Sequence, residues 1–300
     1  MSKSMWQGVI PAITTPFTED GQVDHDFLAR HAAWQIDAGC IGIVPIGSLG
    51  ESATLSFEEK VAIVRTLVEA VGDRAPVIPG IAALATDEAV RLAQACEAEG
   101  ARGLMVLPPY AYSTDRREMG EHVRAVVAAT GLPVLLYNNP IAYKTDFTAE
   151  QIVDLANEFP QIEAVKESSG DLRRFASIQA LSGDRLVLMT GIDDAIVEGI
   201  AMGATGWIAG QVNAYPHESV ALFERARAGG YEAVKELYDW FLPLLRLDTV
   251  PKFVQLIKLT QQAVGWGNER VRAPRLVVEG AERDEALQVI AHAIKTHPGL

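Results

Sequence analysis

Cysteine is nearly absent from this chain. Cys40 and Cys96 are the only two among 300 residues, they have no metal-like spacing, and each falls inside an apolar helical pattern. That usage points away from a disulfide framework or a thiolate metal centre and toward two reduced core thiols in a reducing compartment. Positive charge is also scarce. Lys and Arg number 26 against 39 Asp and Glu, a formal net charge of −13, and no Lys/Arg-rich block occurs. The balance argues against nucleic acid and against anionic membrane surfaces as partners. Long hydrophobic runs are missing as well. No stretch approaches the roughly eighteen apolar residues of a membrane span. The opening MSKSMWQGVIPAITTPF lacks the apolar core and cleavage site of a secretory signal. A soluble, cytoplasmic protein is expected.

What is present is a large apolar content, 49% of the chain, arranged in alternating short and long segments. Eight short runs read as strands: GVIPAITTPF from Gly8, GIVPIGS from Gly42, PVIPGIA from Pro76, GLMVLPP from Gly103, PVLLYNNP from Pro133, IEAVKESS from Ile162, LVLMTGID from Leu186 and GWIAGQVN from Gly206. Continuous apolar runs of this kind fit strands buried on both faces of a parallel sheet. Helix signals lie between them. Ser56 with Glu59, and Thr148 with Gln151, make capping boxes ahead of apolar faces. Phe27, His31, Trp34 and Ala38 share one helical face, and Asp171 opens another helix through Leu172, Phe175 and Ile178. Eight β-then-α units predict an α/β protein, a (β/α)8 TIM barrel, over residues 1–228. A doubly wound sheet is the alternative, but its glycine fingerprint is absent. Residues 229–300 carry three helical patterns without a strand, and predict a C-terminal helical extension packed on the barrel. Pro243 is expected to kink or end the first of these.

A lysine in one of the apolar runs needs an explanation. Lys166 follows Ile162, Ala164 and Val165, and burying an ammonium is costly unless it is paired or loses its proton. It either caps a strand and snorkels to water or serves as an amine nucleophile toward a carbonyl. In a barrel the C-terminal strand ends form the active face. Those ends bring Thr14, Gly47, Ser48, Leu49, Tyr110, Tyr137, Asn139 and Ile208 around Lys166, with no His/Asp/Glu cluster to hold a metal. The Gly47–Gly50 turn offers backbone N–H groups to a carboxylate. Tyr137, one strand before Lys166, is placed to move protons.

Four ordered motifs, GSLGESATLS (Gly47–Ser56), PPY (Pro108–Tyr110), YNNP (Tyr137–Pro140) and VKESSGD (Val165–Asp171), together with GVIPAITTPF, resemble the dihydrodipicolinate synthase / N-acetylneuraminate lyase family of class I, Schiff-base-forming aldolase-type enzymes. The resemblance implies that Lys166 forms the imine, Tyr137 is the catalytic tyrosine, and Ser48 relays protons to it. It implies that Tyr110 enters a neighbouring subunit's site and that the carbonyl of Ile208 lies near the imine. It also implies a homotetramer built as a dimer of dimers, with no cofactor beyond the covalent lysine imine. Two departures stand out. Leu49 replaces the second threonine of the turn. Ala142 occupies the position where lysine-pathway synthases carry an arginine, with Lys144 nearby as a possible substitute.

The expected activity is aldol cleavage or condensation of a pyruvate-type 2-oxo acid, in the manner of a hydratase-aldolase. Dehydration or deamination of a 2-oxo acid or cyclic imine by the same lysine is the alternative. 4-Hydroxy-tetrahydrodipicolinate synthesis proper and non-catalytic keto-acid binding are less favoured by the residues.

Overall fold

The computed structural model describes residues 3–110 and 115–299. Seven parallel strands form one sheet: β1 Val9–Pro11, β2 Gly80–Ile81, β3 Leu104–Val106, β4 Val134–Asn138, β5 Ile162–Glu167, β6 Val187–Thr190 and β7 Gly206–Ala209. Their order is β1-β7-β6-β5-β4-β3-β2. Twelve α-helices accompany them among the described residues. They are α1 His25–Asp37, α2 Phe57–Val71, α3 Thr86–Ala98, α4 Arg116–Ala128, α5 Pro140–Tyr143, α6 Ala149–Glu158, α7 Arg173–Ser182, α8 Ile196–Ala201, α9 Pro216–Gly229, α10 Lys235–Leu245, α11 Phe253–Ala263 and α12 Gly280–Lys295.

The second of the eight expected strands, from Gly42, forms no ladder. It contributes two isolated bridges, Ala12 with Val44 and Ile43 with Val77. Its backbone nevertheless bonds in both directions: Val44 N donates to Pro11 O at 2.8 Å, and Ile78 N donates to Ile43 O at 2.8 Å. The reason for its brevity is local. Pro45 has no N–H to give a ladder, and Ile46 turns left-handed at φ 49°, a conformation a β-branched residue rarely adopts. The segment therefore leaves the sheet at once and enters the Gly47–Gly50 turn.

Side-chain alternation divides the sheet into two faces. Val134 and Leu136 join the core under the helices, with Val165 and Leu188. Leu135, Ala164, Met105 and Met189 pack on the other face, around Trp6 and Ile10. Tyr137 lies two residues beyond Leu135, and Lys166 two beyond Ala164, so period two sends both to that second face. Trp207 is buried too, but it packs among the helices on the opposite side.

The capping boxes at Ser56/Glu59 and Thr148/Gln151 form as written in the sequence. Helix α7 starts later than expected, at Arg173, with Asp171 accepting from the Arg173 N–H at 3.1 Å. Helix α10 runs through Pro243 to Leu245 and passes into a 3-10 turn at Arg246–Asp248. The proline thus falls close to the end of the helix without stopping it. Both cysteines are free and buried, and burial pushes the Cys96 thiol up to about 12. No helix among the described residues is long and apolar enough to cross a membrane.

His31 of α1 is fully buried, and one ring nitrogen, Nε2, meets the Asn213 carbonyl at 2.8 Å. Burial depresses its pKa from 6.5 to about 4. The folded protein holds this ring neutral, while the unfolded chain takes up a proton below about pH 6.5, so acid favours unfolding. His31 is expected to remove about 2 kcal/mol of stability between pH 7.5 and pH 5. Denaturant unfolding at the two pH values, repeated on His31→Gln, checks this. An equal pH loss in both proteins would assign the effect to other groups.

Candidate active site

The ends of the strands enclose a cavity of ≈ 520 Å³. Lys166 and Tyr137 form its floor. They are cross-strand partners on β5 and β4, both buried, and the Lys166 Nζ lies 4.2 Å from the Tyr137 ring centroid. An ammonium or amine over a ring face is attracted by the ring's quadrupole. Gly191, at the end of β6, makes room for the lysine: a Cβ there would stand 2.7 Å from Lys166 Cε and 2.0 Å from Ser168 Oγ. Only glycine fits beside this side chain.

The turn after the second run forms another wall. Glu51 takes a left-handed backbone at φ 56°. A Cβ on Gly50 would meet Ile46 N at 2.9 Å, so the chain can double back here only through glycine. Two non-glycine residues of one short loop, Ile46 and Glu51, thus hold left-handed backbone, which costs on the order of 1–3 kcal/mol each. Tertiary contacts offset it. Glu51 is completely buried, bonds Lys258 Nζ of α11 at 2.6 Å, and accepts from the Arg272 N–H at 3.1 Å. Leu49 packs on Val254 and Ile257. The apolar residue in place of threonine is therefore covered by α11 on one side while it lines the cavity on the other.

Of the residues expected in the site, Gly47, Ser48, Leu49, Tyr110, Tyr137, Asn139, Lys166 and Ile208 all line the cavity. Thr14 does not. Its hydroxyl donates to Gln261 Oε1 at 2.9 Å, its N–H bonds Asn213, and the side chain is buried among these partners. Substrate contact by Thr14 is thus corrected to a structural tie between the first strand end and α11. The expected Ser48–Tyr137 relay is also not made directly. The Ser48 hydroxyl bonds the Tyr143 hydroxyl, while the Tyr137 hydroxyl accepts from Asn139 Nδ2 at 2.9 Å. Tyr110 lines the cavity of its own chain, its ring 5.2 Å from that of Tyr143.

Several cavity residues escaped the sequence reading. Tyr143 stands edge-on to Tyr137 at 6.1 Å, and burial, then Tyr137, drives its hydroxyl pKa upward. The structure brings Arg275 to the wall and turns Lys144 away, its Nζ donating to Ile141 O. Asp248, from the turn after α10, faces the cavity beside Gly210. Ser168 was within reach of sequence reasoning, since it is two residues beyond Lys166. Nothing local to the sequence marks Asp248 or Arg275. Beneath the wall Asp193 is buried, accepting from Trp207 Nε1, Gly210 N and Gln211 N, and burial raises its pKa to about 6 against those bonds. No cluster of three or more His, Cys, Asp or Glu side chains is set to hold a metal among the described residues.

Tyr143→Phe is expected to lower turnover by roughly 10²-fold, the usual size of a lost proton-transfer group, with little change in folding stability. Steady-state rates beside thermal melts check it; an unchanged rate would leave Tyr143 a wall residue only.

Comparison with known proteins agrees with this architecture. The family model described as Dihydrodipicolinate synthetase family matches residues 5–293. The 4-hydroxy-tetrahydrodipicolinate synthase of Bartonella bacilliformis is 31% identical over 289 residues, 96% of this chain and 98% of that protein. The enzyme of the same name from Rhizobium meliloti is 34% identical over 272 residues, 91% and 92% of the two chains. A putative dihydrodipicolinate synthetase from Pseudomonas aeruginosa superposes with a TM-score of 0.90 at 31% identity, covering 96% of this chain and 99% of that one. A prophage protein of the dihydrodipicolinic acid synthase family from E. coli K12, solved in complex with pyruvate, gives 0.90 at 26% identity over 96% and 98%. The expectation of a lyase-type enzyme stands with these relatives, and the chain belongs to the dihydrodipicolinate synthetase family.

Proposed function

We propose that this protein is a Schiff-base-forming lyase that makes or breaks a bond of a pyruvate-type 2-oxo acid through a Lys166 imine and its enamine. One observation carries the reading: a single lysine, buried in strand β5, reaches the floor of a closed-in cavity against a tyrosine ring at 4.2 Å. A binding protein needs no nucleophile, and Lys166, unlike the buried Lys258 with its Glu51 partner, faces the cavity without a carboxylate in salt-bridge contact among the described residues. The E. coli relative solved with pyruvate supports the same substrate class.

In this reading Lys166 Nζ attacks the oxo carbon, and water leaves as the imine forms. The amides of Ser48 and Leu49, which have no backbone acceptor among the described residues, receive the substrate carboxylate, with Arg275 adding charge at that end. Tyr137, oriented by Asn139, moves protons at the reacting carbon, and Ser48 with Tyr143 extends the relay. Cleavage or formation of a C–C bond then proceeds through the enamine. The relatives' named activity, 4-hydroxy-tetrahydrodipicolinate synthesis, is set apart by Ala142, which removes a bidentate grip for a second carboxylate. Loss of water or ammonia through the same enamine is the second reading, favoured by the acid side chain of Asp248 at the cavity wall.

The fold completes this account as a (β/α)8 barrel over residues 1–228, with residues 41–45 standing as the eighth stave between β1 and β2, and with residues 229–300 as a helical appendage. A cytoplasmic homotetramer, working without metal or separate cofactor, belongs to the same proposal. Borohydride trapping with pyruvate, read by intact mass and peptide mapping, tests it. A reduced adduct on Lys166 is expected; no adduct with any 2-oxo acid would sink the reading.

A further inference from the structure

Tyr143 reaches Ser48 from a loop, residues 139–147, that leaves the end of β4 and folds back onto it. The loop's four-residue helix, α5, is too short to hold that shape by itself. It also closes on Lys144, a non-glycine residue in left-handed backbone at φ 61°, a conformation that persists only where the surroundings impose it. What imposes it is the neck of the loop. Asn138 is fully buried, and its amide is used on every side. Its Oδ1 accepts from the Phe147 N–H at 3.0 Å, and its Nδ2 donates to Asp146 Oδ1 and Glu167 Oε2, both at 3.0 Å. The far end of the loop is thereby tied to its own first strand and, through Glu167, to the residue that follows Lys166 on β5.

Arg174 of α7 completes the neck. Its Nη1 donates to Asp146 Oδ1 at 2.8 Å and its Nη2 to Asp146 Oδ2 at 2.6 Å, while Nη1 also donates to Phe147 O at 3.0 Å. A bidentate guanidinium fixes direction as well as distance. It also balances charge, because Asn138 donates to two carboxylates at once. Glu167 is 3% exposed, and burial raises its carboxyl pKa against the bonds from Asn138 and the Ser169 N–H and against the Arg174 charge. Without the guanidinium, Asp146 and Glu167 repel across one amide, and the chain just after Tyr143 is released. The near end of the loop is held separately. Asn139 Oδ1 accepts from the Ala142 N–H at 3.0 Å, and its Nδ2 donates to the Tyr137 hydroxyl at 2.9 Å. Slack at Asp146 therefore displaces Tyr143 more than Tyr137 or Lys166.

We propose that Arg174 is a positioning residue for proton transfer: through Asp146 and Asn138 it sets the loop that delivers the Tyr143 hydroxyl to Ser48. It acts from outside the cavity, which it does not line. The inference rests on the Lys166 reading and its relay through Ser48 and Tyr143, and it separates two steps that the reading joins. Imine formation needs Lys166 in place; proton transfer needs the loop in place as well.

Pyruvate alone is the probe, because it reports both steps. Borohydride trapping reads imine formation at Lys166. Exchange of the pyruvate methyl protons in deuterated water, followed by proton NMR, reads proton transfer: a methyl C–H bond breaks, its proton passes to the relay as the enamine forms, and a deuteron returns to the same carbon. Arg174→Met is expected to slow exchange about tenfold, while trapping stays within about twofold of the wild type. Made in a Tyr143→Phe protein, the same substitution is expected to change exchange by less than about twofold, because the hydroxyl it positions is gone. Arg174→Lys, which returns the charge without the second arm, is expected to recover part of the rate. Asp146→Asn, at a side chain 41% exposed, is expected to show the same dependence on Tyr143 and decides the outcome if Arg174→Met does not stay folded. An equal loss in both backgrounds, parallel losses of trapping and exchange, or unchanged exchange in Arg174→Met overturns the proposal. A wild-type protein that neither traps nor exchanges pyruvate overturns the Schiff-base reading, and this inference falls with it.

Discussion

Replacing Lys166 by arginine is expected to abolish the reducible adduct with pyruvate and to lower kcat/KM by on the order of 10⁴-fold or more, as losses of a covalent nucleophile do. Arginine is the informative substitution because the site is electrostatically loaded. Asp193 and Asp248 both feel the Lys166 charge, so an alanine would remove a nucleophile and a counter-charge at once. Arginine keeps the positive charge and much of the stem length, but it remains protonated and cannot attack a carbonyl. Its bulk is the complication, since Gly191 and Ser168 already crowd the lysine stem. Lys166→Met supplies the companion: it fits the stem, carries no charge, and should lose the adduct as completely. Measurable turnover in the arginine variant, with folding intact, would contradict the imine mechanism.

The second large effect is expected far from the reacting atoms. Lys258→Met should destabilise the protein by about 3 kcal/mol, the low end of the cost of breaking a buried ion pair, because Glu51 keeps Arg275 at 3.8 Å and the Arg272 N–H at 3.1 Å. Lys258 is 1% exposed and Glu51 is fully buried; their side chains meet at 2.6 Å, and Lys258 also donates to Arg270 O at 2.6 Å. Burial lowers the Lys258 pKa to about 8 in spite of the Glu51 carboxylate beside it. Desolvation therefore outweighs the attraction of Glu51, and the pair's main effect is on geometry. It ties α11 and the segment through Arg272 to Glu51, one of the two residues whose left-handed backbone shapes the Gly47–Gly50 turn at the cavity wall. Two consequences follow. The double variant Glu51→Gln, Lys258→Met should recover part of the lost stability, because no unpaired charge is left buried. It should not recover activity, because the turn has lost its anchor. Denaturant unfolding together with a double-mutant cycle measures the first, and KM for the 2-oxo acid measures the second. Single variants within 1 kcal/mol of the wild type would show that the turn holds its shape without the pair.

Much of the architecture was legible because apolar period and capping are local signals. PVLLYNNP and IEAVKESS announce buried parallel strands by composition alone, and Ser56–Glu59 announces a helix start by reciprocal hydrogen bonding. Where the reading failed, backbone chemistry prevailed over the apolar pattern. Pro45 and the left-handed Ile46 cut the second strand to two bridges. Lys166 and Tyr137 were found because a polar residue at the end of an apolar run is conspicuous, and because period two places both on one face of neighbouring strands.

The remaining cavity groups carry no such mark. Asp248 and Arg275 lie in segments whose sequence resembles any polar connection, and they reach the site only because α10, α11 and the chain after Gly267 pack across the strand ends. Thr14 illustrates the converse: its position at a strand end was legible, but the direction of its hydroxyl was decided by Gln261, 247 residues away. The sequence by itself determined seven of the eight expected strands, the capped helix starts at Ser56 and Thr148, and the face of its strand on which each of Lys166 and Tyr137 falls, since these depend on neighbours one to four residues apart. Only the tertiary structure decided which hydroxyl meets Ser48, which cation lines the cavity and which acid stands at its wall, because those contacts join residues dozens to hundreds of positions apart.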